Sequence, residues 1–453
     1  SVMTSTQGPG DPTSPAKREG DPASSTPTIT TRMILSLALP SLGALIAEPL
    51  FTVIDSTMVG HLGTPQLAGL GIASTVLNTA VGLFIFLAYS TTSLAGRHLG
   101  AGRRDLAIRS GVEAMWLAGG LGALAAILLA VFASPLLTWL GADAATMPHA
   151  LAYLRASAPG LVGMFVVLAA TGTLRGLQDT RTPLVAASVG AAFNAVANWV
   201  LMYPLDLGVA GSGLGTAITQ TLMAAFLGWM IVRAARREGV SLRPSTSGLF
   251  GAALEGAPLL VRTLALRVAL LATLSAVTAI STQALAAHQI VWTLWTFAAY
   301  VLDALAIAAQ ALAGFTTGTG ERGAMRPLLR TLSRWGIGFG VAVGVVLAIT
   351  APWITRIFTT DQTVAIIVGA LFQPVAGYVF LLDGVLIGAG RGRYLAIAGI
   401  VNLVVYAPLL WVIAHSTSLT ARPSLALAMV WLAYSAVYTG MRALTNGLGA
   451  RSL

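Results

Sequence analysis

The sequence predicts an all-α membrane protein whose twelve transmembrane helices form two six-helix lobes, related by a pseudo-two-fold axis along the membrane normal. Three observations lead to this fold class. First, the 453 residues are 56% hydrophobic and only 9% charged, with a mean hydropathy of +0.81, whereas about a quarter of the residues of a soluble protein are charged. Second, the apolar residues come in blocks of about 20, the length that crosses about 30 Å of hydrocarbon as a helix. Third, the second half of the chain repeats features of the first.

The chain divides into a polar tail and two halves. Residues 1–30 are rich in Ser, Thr, Pro and Gly and contain no apolar run, which is typical of a disordered tail. We expect an N-lobe at 31–236, a basic linker at 237–250 and a C-lobe at 251–453. The predicted spans are, in order, 33–59, 67–96, 110–132, 148–173, 183–204, 211–234, 252–280, 284–314, 327–350, 363–388, 395–415 and 424–446.

The distribution of arginine predicts the orientation of these spans. One set of joints between spans, together with the chain termini, carries most of the arginines, while the opposite joints carry only Arg155, Arg356 and Arg422. Positive residues stay on the cytoplasmic side of a membrane protein. We therefore expect a multi-pass protein of the inner (plasma) membrane of the cell, with the tail and both termini in the cytoplasm.

Internal repetition predicts how the two halves are related. An offset of 218 positions places Pro40 on Pro258, Gly96 on Gly314 and Gly100 on Gly318, and an offset of 212 places Gly176 on Gly388 and Arg181 on Arg393. Each half has six spans, an even number, so the two repeats share one orientation in the membrane. This architecture is that of a carrier, with a binding site between the halves or inside each of them.

The first span contains two carboxylates, Glu48 and Asp55, and a proline, Pro49. The acids are seven residues apart, so both point the same way on a helix. A lone ionisable group at mid-bilayer costs about 2.5–3.5 kcal/mol on insertion scales. Either these carboxylates bind a proton or cation in a water-filled cavity, or a fixed hydrogen-bond network holds them to position a kink at Pro49.

Two amides in the fifth span allow the same pair of interpretations. Asn194 and Asn198 are one helical turn apart and lie on one face. They either share a proton or cation network with the first span, or they join helices through hydrogen bonds that are worth around 0.6 kcal/mol each.

Five further ionisable residues are deep in the C-lobe. Arg262 in span 7 and Asp303 in span 8 fall at similar depths, which predicts a structural ion pair, and Arg267 lies five residues further along span 7. Asp383 in span 10 is close in sequence to two arginines, Arg391 and Arg393, which favours a structural or gating contact. His288 is expected to be a packed, hydrogen-bonded histidine, with a proton relay as the alternative. All five, together with Pro49 of the first span, are candidates for lining or gating the cavity.

Several classes of function are excluded by composition and motif. The chain has no cysteine, so thiolate chemistry and disulfides are excluded, and its five histidines show no metal-ligand spacing. No phosphate-binding loop or nucleophile constellation is present. The net charge of +10 is better explained by positive residues in the joints on the cytoplasmic side than by binding to nucleic acid. We therefore expect that the protein is not an enzyme and has no cofactor, metal site or nucleic-acid partner. We expect it to be a monomer in a lipid bilayer.

Four segments resemble motifs of the multidrug and toxic compound extrusion (MATE) family, and they are most similar to its DinF-like branch. The segments are Glu48–Leu50 with Asp55 and Val59–Thr64, then Leu174–Pro183, Leu285–Ile290 and Ala308–Gly314. The resemblance covers nearly all of the chain after the tail. It implies two six-helix lobes around a central cleft, and efflux of cationic or amphipathic drugs in exchange for H⁺ or Na⁺.

The resemblance also implies a coupling site. An aspartate in the first helix of the DinF-like branch is its coupling carboxylate, and it falls on Asp55. Relatives carry Asn-x-x-x-Asp in the fifth helix, where this chain has Asn194 and Asn198. The second acid is therefore an amide here, which disfavours a two-carboxylate Na⁺ site. The glutamate that other branches place in the seventh helix is absent, because Leu266 occupies about that position.

These features predict a secondary active antiporter that exports cationic or amphipathic organic compounds by alternating access, with Asp55 as its coupling carboxylate. The alternative within the same superfamily is a flippase or exporter of a lipid-linked or other endogenous metabolite, which requires basic residues along the cavity. A non-transporting scaffold or receptor is the alternative of another class, and the repeat and the buried acids disfavour it.

Overall fold

The computed structural model of the protein describes residues 31–321, 323–357 and 363–453, and the regular structure in these ranges is helical. The tail expected at 1–30 lies outside them. The helices are α1 (Thr31–Gly60), α2 (Thr64–Leu83), α3 (Phe86–Gly100), α4 (Arg104–Val131), α5 (Ala133–Trp139), α6 (Met147–Ser157), α7 (Gly160–Gly176), α8 (Arg181–Met202), α9 (Val209–Arg237), α10 (Thr246–Ile280), α11 (Thr282–Thr319), α12 (Met325–Ile357), α13 (Thr363–Leu371), α14 (Gln373–Gly388), α15 (Gly392–His415), α16 (Thr417–Thr420), α17 (Pro423–Leu432) and α18 (Thr439–Arg451).

The predicted number of spans is confirmed within the described chain. Ten continuous helical stretches are long and apolar enough to cross a membrane, and two bent helix pairs bring the number to twelve. The bent pairs are α6 with α7, at 52°, and α13 with α14, at 49°. They form the fourth span of each half, so the bends recur at equivalent positions of the repeat.

Buried residues form one large cluster centred in each half, and the N-lobe cluster extends to Leu259, Leu386 and Leu395 of the C-lobe. Leu87, Leu161 and Phe165 are buried at the centre of the N-lobe. The C-lobe core is aromatic, with Tyr406 and Trp431 fully buried. Large apolar side chains remain exposed on the outer faces of many helices, as expected for surfaces that contact lipid. The all-α, two-lobe fold class predicted from the sequence is therefore confirmed.

The lobes meet closely at the ends of the helices that carry the arginine-rich joints. Gly96 of α3 faces its repeat equivalent Gly314 of α11, and a Cβ on Gly96 would lie 3.4 Å from the Cα of Gly314. The Ser93 hydroxyl donates to the carbonyl of Gly388 at 2.9 Å. Arg97 of α3 forms an ion pair with Glu255 of α10. Glycine at the crossing lets the two backbones approach, so the interior is closed on this side.

The joint between the halves is attached to the N-lobe. Its non-helical part, 238–245, lies inside the linker expected at 237–250. Buried Glu113 of α4 accepts hydrogen bonds from Arg109 and, at 3.0 Å, from the hydroxyl of Ser245, which caps α10. Arg109 also donates to the carbonyl of Arg243 at 2.7 Å. The start of α10 therefore contacts both lobes.

Candidate functional site

The carboxylate of Asp55 is buried between α1 and α8, with 7% of the residue exposed. Its Oδ1 accepts hydrogen bonds from the side-chain amides of Asn194, at 3.3 Å, and Asn198. The Thr219 hydroxyl of α9 donates to Asn194 Oδ1 at 3.4 Å. Asn194 and Asn198 are four residues apart on one face of α8, so one helix presents both amides to the acid. The structure thus brings together three of the residues singled out from the sequence.

One oxygen of this cluster lacks a hydrogen bond. Asn198 Oδ1 is buried and has no partner among the described residues. It points at Gly215 of α9, where a Cβ would lie 1.8 Å away. Glycine at this position therefore makes room for the amide. The cluster lies near the end of α1 away from the arginine-rich joints, where Tyr203 donates to the carbonyl of Met58 at 2.7 Å.

Glu48 is not part of this cluster, although the sequence places both acids on one side of α1. The residue is exposed, and its carboxylate has no hydrogen bond or ion pair among the described residues. Arg175 of α7 and Tyr300 of α11 are within electrostatic reach of it. The difference arises because α8 covers Asp55, whereas Glu48 faces the space between the lobes. Pro49 lies inside α1 beside it.

Another buried carboxylate, Asp383 of α14, lies in the C-lobe. It accepts hydrogen bonds from Arg262 of α10 at 2.7 Å, from Arg442 of α18 at 2.5 Å and from Asn446 at 2.8 Å. The guanidinium of Arg262 also lies 5.8 Å from the ring centre of Tyr89, across the lobe interface. This cluster joins three helices of the C-lobe and touches the N-lobe.

The predicted ion pair between Arg262 and Asp303 is wrong. Arg262 pairs with Asp383 and not with Asp303, which has no hydrogen bond or ion pair among the described residues. Asp383 contacts neither of its sequence neighbours Arg391 and Arg393, and Arg391 instead donates to the carbonyl of Ser452 at 3.3 Å. Depth along a span, which the sequence gives, does not fix the rotation of a helix or the neighbour it meets.

The other two deep candidates lie apart from both carboxylates. His288 is buried against Trp292 and Trp431, with its ring centre 5.6 Å from that of Trp431. It is packed as expected, but its Nδ1 has no hydrogen-bond partner within the described chain. The guanidinium of Arg267 lies against Gly82 of the N-lobe.

Two members of the Asp383 cluster were missed from the sequence. Arg442 is one of the arginines near the chain terminus that predict its orientation, but neither it nor Asn446 is singled out as a site residue. The available signal was their spacing of four residues, which repeats the spacing of Asn194 and Asn198. Across the described residues, no group of three or more His, Cys, Asp or Glu side chains is arranged to hold a metal.

Comparison with known proteins gives consistent matches. A sequence model of the MatE family matches residues 40–200 and 258–412. The two matched blocks begin 218 residues apart and end 212 apart, the two offsets of the internal repeat. Protein DETOXIFICATION 44, chloroplastic, of Arabidopsis thaliana is 32% identical over 418 residues, which cover 88% of this chain and 78% of that protein.

A bacterial relative and a solved structure agree with this match. DNA damage-inducible protein F of Escherichia coli (strain K12) is 28% identical over 429 residues, 89% of this chain and 92% of that protein. A crystal structure of MATE in the bent conformation superposes with a TM-score of 0.85 at 22% identity, covering 93% of this chain and 94% of that one. This last likeness concerns the fold.

Proposed function

This chain belongs to the MatE family of multidrug and toxic compound efflux transporters, and from that premise we propose that it is a proton-driven antiporter whose coupling group is Asp55. Transporters of this family are not enzymes, and they need neither an organic cofactor nor a metal. What remains to be assigned is the coupling ion, the residue that binds it and the direction of transport.

The observation that carries the proposal is that the groups hydrogen-bonded to Asp55 are uncharged. Its hydrogen-bond donors are the neutral amides of Asn194 and Asn198. Protonation of Asp55 therefore leaves no opposite charge unpaired. Asp383, by contrast, pairs with Arg262 and Arg442, and its protonation would leave two buried guanidiniums without a counter-ion. Asp55 is therefore the carboxylate better suited to bind and release a proton.

The amides can serve both protonation states of Asp55. When the carboxylate is ionised, it accepts hydrogen bonds from both side-chain NH₂ groups. When it is protonated, its hydroxyl must donate, and the unpartnered Oδ1 of Asn198 is a buried acceptor on the neighbouring residue. Rotation of the Asn198 amide would present that oxygen to the acid. This change is local and needs no buried charge to move.

Exchange then requires that the two conformations of the transporter differ in their affinity for the proton. Each tenfold difference in affinity contributes about 1.4 kcal/mol of coupling energy, and membrane potential adds about 2.3 kcal/mol per charge for each 100 mV. Protonation of Asp55 from the outer side would allow α1 to rearrange near Pro49 and release the exported compound. Opening to the cytoplasm would return the proton.

We assign the arginine-rich joints to the cytoplasm, in an inner (plasma) membrane, on the basis of the positive-inside rule. The close contact of the lobes on that side, through Gly96, Gly314 and the Arg97–Glu255 pair, supports a state that is closed to the cytoplasm. Asp55 lies near the end of α1 that is away from the arginine-rich joints. With those joints in the cytoplasm, this position suits a group that accepts a proton from the outer side.

A proton suits this site better than a sodium ion. The cluster offers one carboxylate, and the second acidic position carries the amide of Asn198. Glu48, the other acid of α1, is not in contact with it. A flippase of lipid-linked metabolites is less favoured, because one of the two deep arginines, Arg262, is neutralised by Asp383, which leaves only Arg267 as a free positive charge near the interface.

The test is transport of a fluorescent organic cation by the purified protein in proteoliposomes, under an imposed pH gradient and then under an imposed Na⁺ gradient. We expect flux with the first gradient only, and its loss in Asp55→Asn. Asn198→Ala should reduce the flux less, because Asn194 still donates to the acid. Full pH-driven flux in Asp55→Asn would exclude Asp55 as the coupling group, and flux driven only by Na⁺ would exclude the proton.

A further inference from the structure

A groove of about 610 Å³ lies between the first turns of α1 and the start of α8. Its lining includes Arg32, Leu35, Leu39 and Pro40 of α1 and Arg181, the first residue of α8. Sites for small molecules typically have volumes of about 300–1,000 Å³. Both helices belong to the N-lobe, so this groove is separate from the space between the lobes. It lies at the ends of the helices that carry the arginine-rich joints.

Contacts between α1 and α8 fix the shape of the groove. Pro40 has no amide hydrogen, so the carbonyl of Ser36 loses its helical hydrogen bond. That carbonyl instead accepts from the Thr180 hydroxyl at 3.3 Å. Three residues beyond Pro40, the two helices touch, because a Cβ on Gly43 would lie 2.7 Å from Leu184 Cδ1. The groove is therefore a fixed feature of the packing of α1 against the start of α8.

Two arginines without a counter-ion in the described chain lie on the groove. The guanidiniums of Arg32 and Arg181 are exposed, and neither forms a hydrogen bond or an ion pair with a described residue. Asp179, the acid nearest to Arg181 in sequence, does not line the groove. Its oxygens accept from the amides of Arg181 and Thr182 and from the Thr182 hydroxyl. The groove therefore presents two positive charges to an occupant.

The rest of the groove is apolar and opens away from the protein. Leu39 is 59% exposed, and Leu35 is half-buried. Val185, one turn into α8, is 51% exposed, so the apolar surface continues onto that helix. The opposite face of α1 is buried in a cluster with residues of α11, through Ile34, Leu37 and Ala38. An occupant of the groove must therefore be anionic at one end and apolar along α1.

We propose that this groove binds an anionic phospholipid from the leaflet on the arginine-rich side, with its phosphate held by Arg32 and Arg181. One acyl chain then lies along Leu35, Leu39 and Pro40 and continues into the bilayer. A guanidinium donates paired hydrogen bonds to phosphate oxygens, which gives both affinity and orientation. A soluble phosphate would leave the apolar part of the groove uncovered. This lipid site is independent of the coupling ion and of the exported compound.

The first test measures the binding of phosphatidylglycerol to the purified full-length protein by native mass spectrometry. Phosphatidylcholine with the same acyl chains is the reference, and we expect the native protein to bind it more weakly. Arg32→Gln and Arg181→Gln should each weaken binding of phosphatidylglycerol about fivefold, the effect of one basic residue on an anionic lipid, and the double variant about 25-fold.

A matched double variant controls for the general attraction of a basic surface. Arg236 and Arg237 are exposed at the end of α9 on the same side and do not line the groove. Their replacement by Gln removes the same charge and should change the affinity less than about twofold. Equal losses of affinity in the two double variants would overturn the proposal.

A third variant tests the groove apart from its charges. Ser36 lies in the groove, is exposed, and donates only to the carbonyl of Met33 in its own helix, at 2.9 Å. Ser36→Trp fills the groove and keeps both arginines, so we expect it to remove the preference for phosphatidylglycerol. An unchanged preference would show that the groove is not the binding site.

Photo-crosslinking then identifies the occupant directly. Benzoylphenylalanine replaces Leu39, and the protein is reconstituted in vesicles of equal amounts of phosphatidylglycerol and phosphatidylcholine. We expect adducts that are enriched in phosphatidylglycerol. Adducts that match the vesicle composition would overturn the proposal, as would crosslinks to residues 1–30 or to a second copy of the chain.

Discussion

Two of the buried carboxylates of this transporter, Asp55 in the N-lobe and Asp383 in the C-lobe, have contrasting neighbours. Two neutral amides surround Asp55, whereas two guanidiniums and one amide surround Asp383. The lobes are repeats of one another, yet the repeat equivalent of Asp55 is Thr273, which hydrogen-bonds to Tyr406 at 2.7 Å. The symmetric framework therefore carries asymmetric chemistry.

The contrast indicates which of the two acids can be neutralised with the smaller loss of stability. Removal of one partner from a buried ion pair costs about 3–5 kcal/mol, because the other charge is left uncompensated. Neutralising Asp383 removes the partner of two guanidiniums, while neutralising Asp55 removes the partner of none. We infer that the Asp383 cluster holds α10, α14 and α18 together and that the Asp55 cluster is the one free to titrate.

The largest expected effect is on stability. Asp383→Asn should lower the free energy of unfolding by about 3–5 kcal/mol, because Arg262 and Arg442 lose their counter-ion. Asp55→Asn is the matched control and should change it by less than about 1 kcal/mol, since an amide can still hydrogen-bond to its neighbours. Denaturant unfolding of both variants in detergent measures the free energy of unfolding. Equal losses in the two variants would contradict the claim that Asp383 is the more costly acid to neutralise.

A second substitution tests whether the lost stability comes from the uncompensated arginines around Asp383. In the Asp383→Asn background, Arg442→Gln removes one of the two orphaned charges. We expect it to recover part of the lost stability, with a coupling energy of about 1–3 kcal/mol between the two positions. The four proteins of the double-mutant cycle are compared by the same unfolding assay. Additive losses would indicate that the pair contributes no mutual stabilisation.

A smaller effect is expected where α9 makes room for the Asp55 cluster. In Gly215→Ala, a Cβ would lie 1.8 Å from Asn198 Oδ1, so the amide must shift away from its position beside Asp55. We expect pH-driven transport to fall several-fold. Gly228→Ala in the same helix is the control, since its nearest neighbour is the Met115 sulfur at 3.8 Å. Equal transport rates in the two variants would contradict the requirement for space at Gly215.

The smallest energetic effect is expected at the closed side of the lobes. Arg97 and Glu255 each have 30% of the side chain exposed, so their pair should contribute no more than about 1 kcal/mol. Arg97→Gln should leave global stability nearly unchanged but favour the state that is open on this side. Because the chain has no cysteine, spin labels at two introduced cysteines across the interface can measure the distance distribution. An unchanged distribution would show that the pair does not hold the lobes closed.

The sequence predicted the framework well because its signals are long and repeated. Blocks of apolar residues give twelve spans, and the same two offsets relate the halves in sequence and in the matched family blocks. Asp55, Asn194 and Asn198 were also found, because polar residues in an apolar run stand out. Their position on facing helices then needed only that the first and fifth spans pack together.

The partners of the C-lobe charges could not be predicted in the same way. Arg262 meets Asp383 rather than Asp303 because the rotation of α10 against its neighbours selects the contact, and a residue's depth does not determine that rotation. The approach of Arg442 also follows a π-helical segment at Ala433–Tyr438, which shifts the register of the last span. Counting residues at helical spacing from the sequence misses such a shift.

The most direct test of the account compares two modes of transport in Asp55→Asn proteoliposomes. One is accumulation of substrate against its gradient, driven by a pH difference, and the other is exchange of labelled for unlabelled substrate without any gradient. We predict that accumulation is lost while exchange persists, because the binding cleft and the lobe motions remain but the proton has no site. Undiminished pH-driven accumulation in Asp55→Asn would contradict the assignment of Asp55 as the coupling carboxylate.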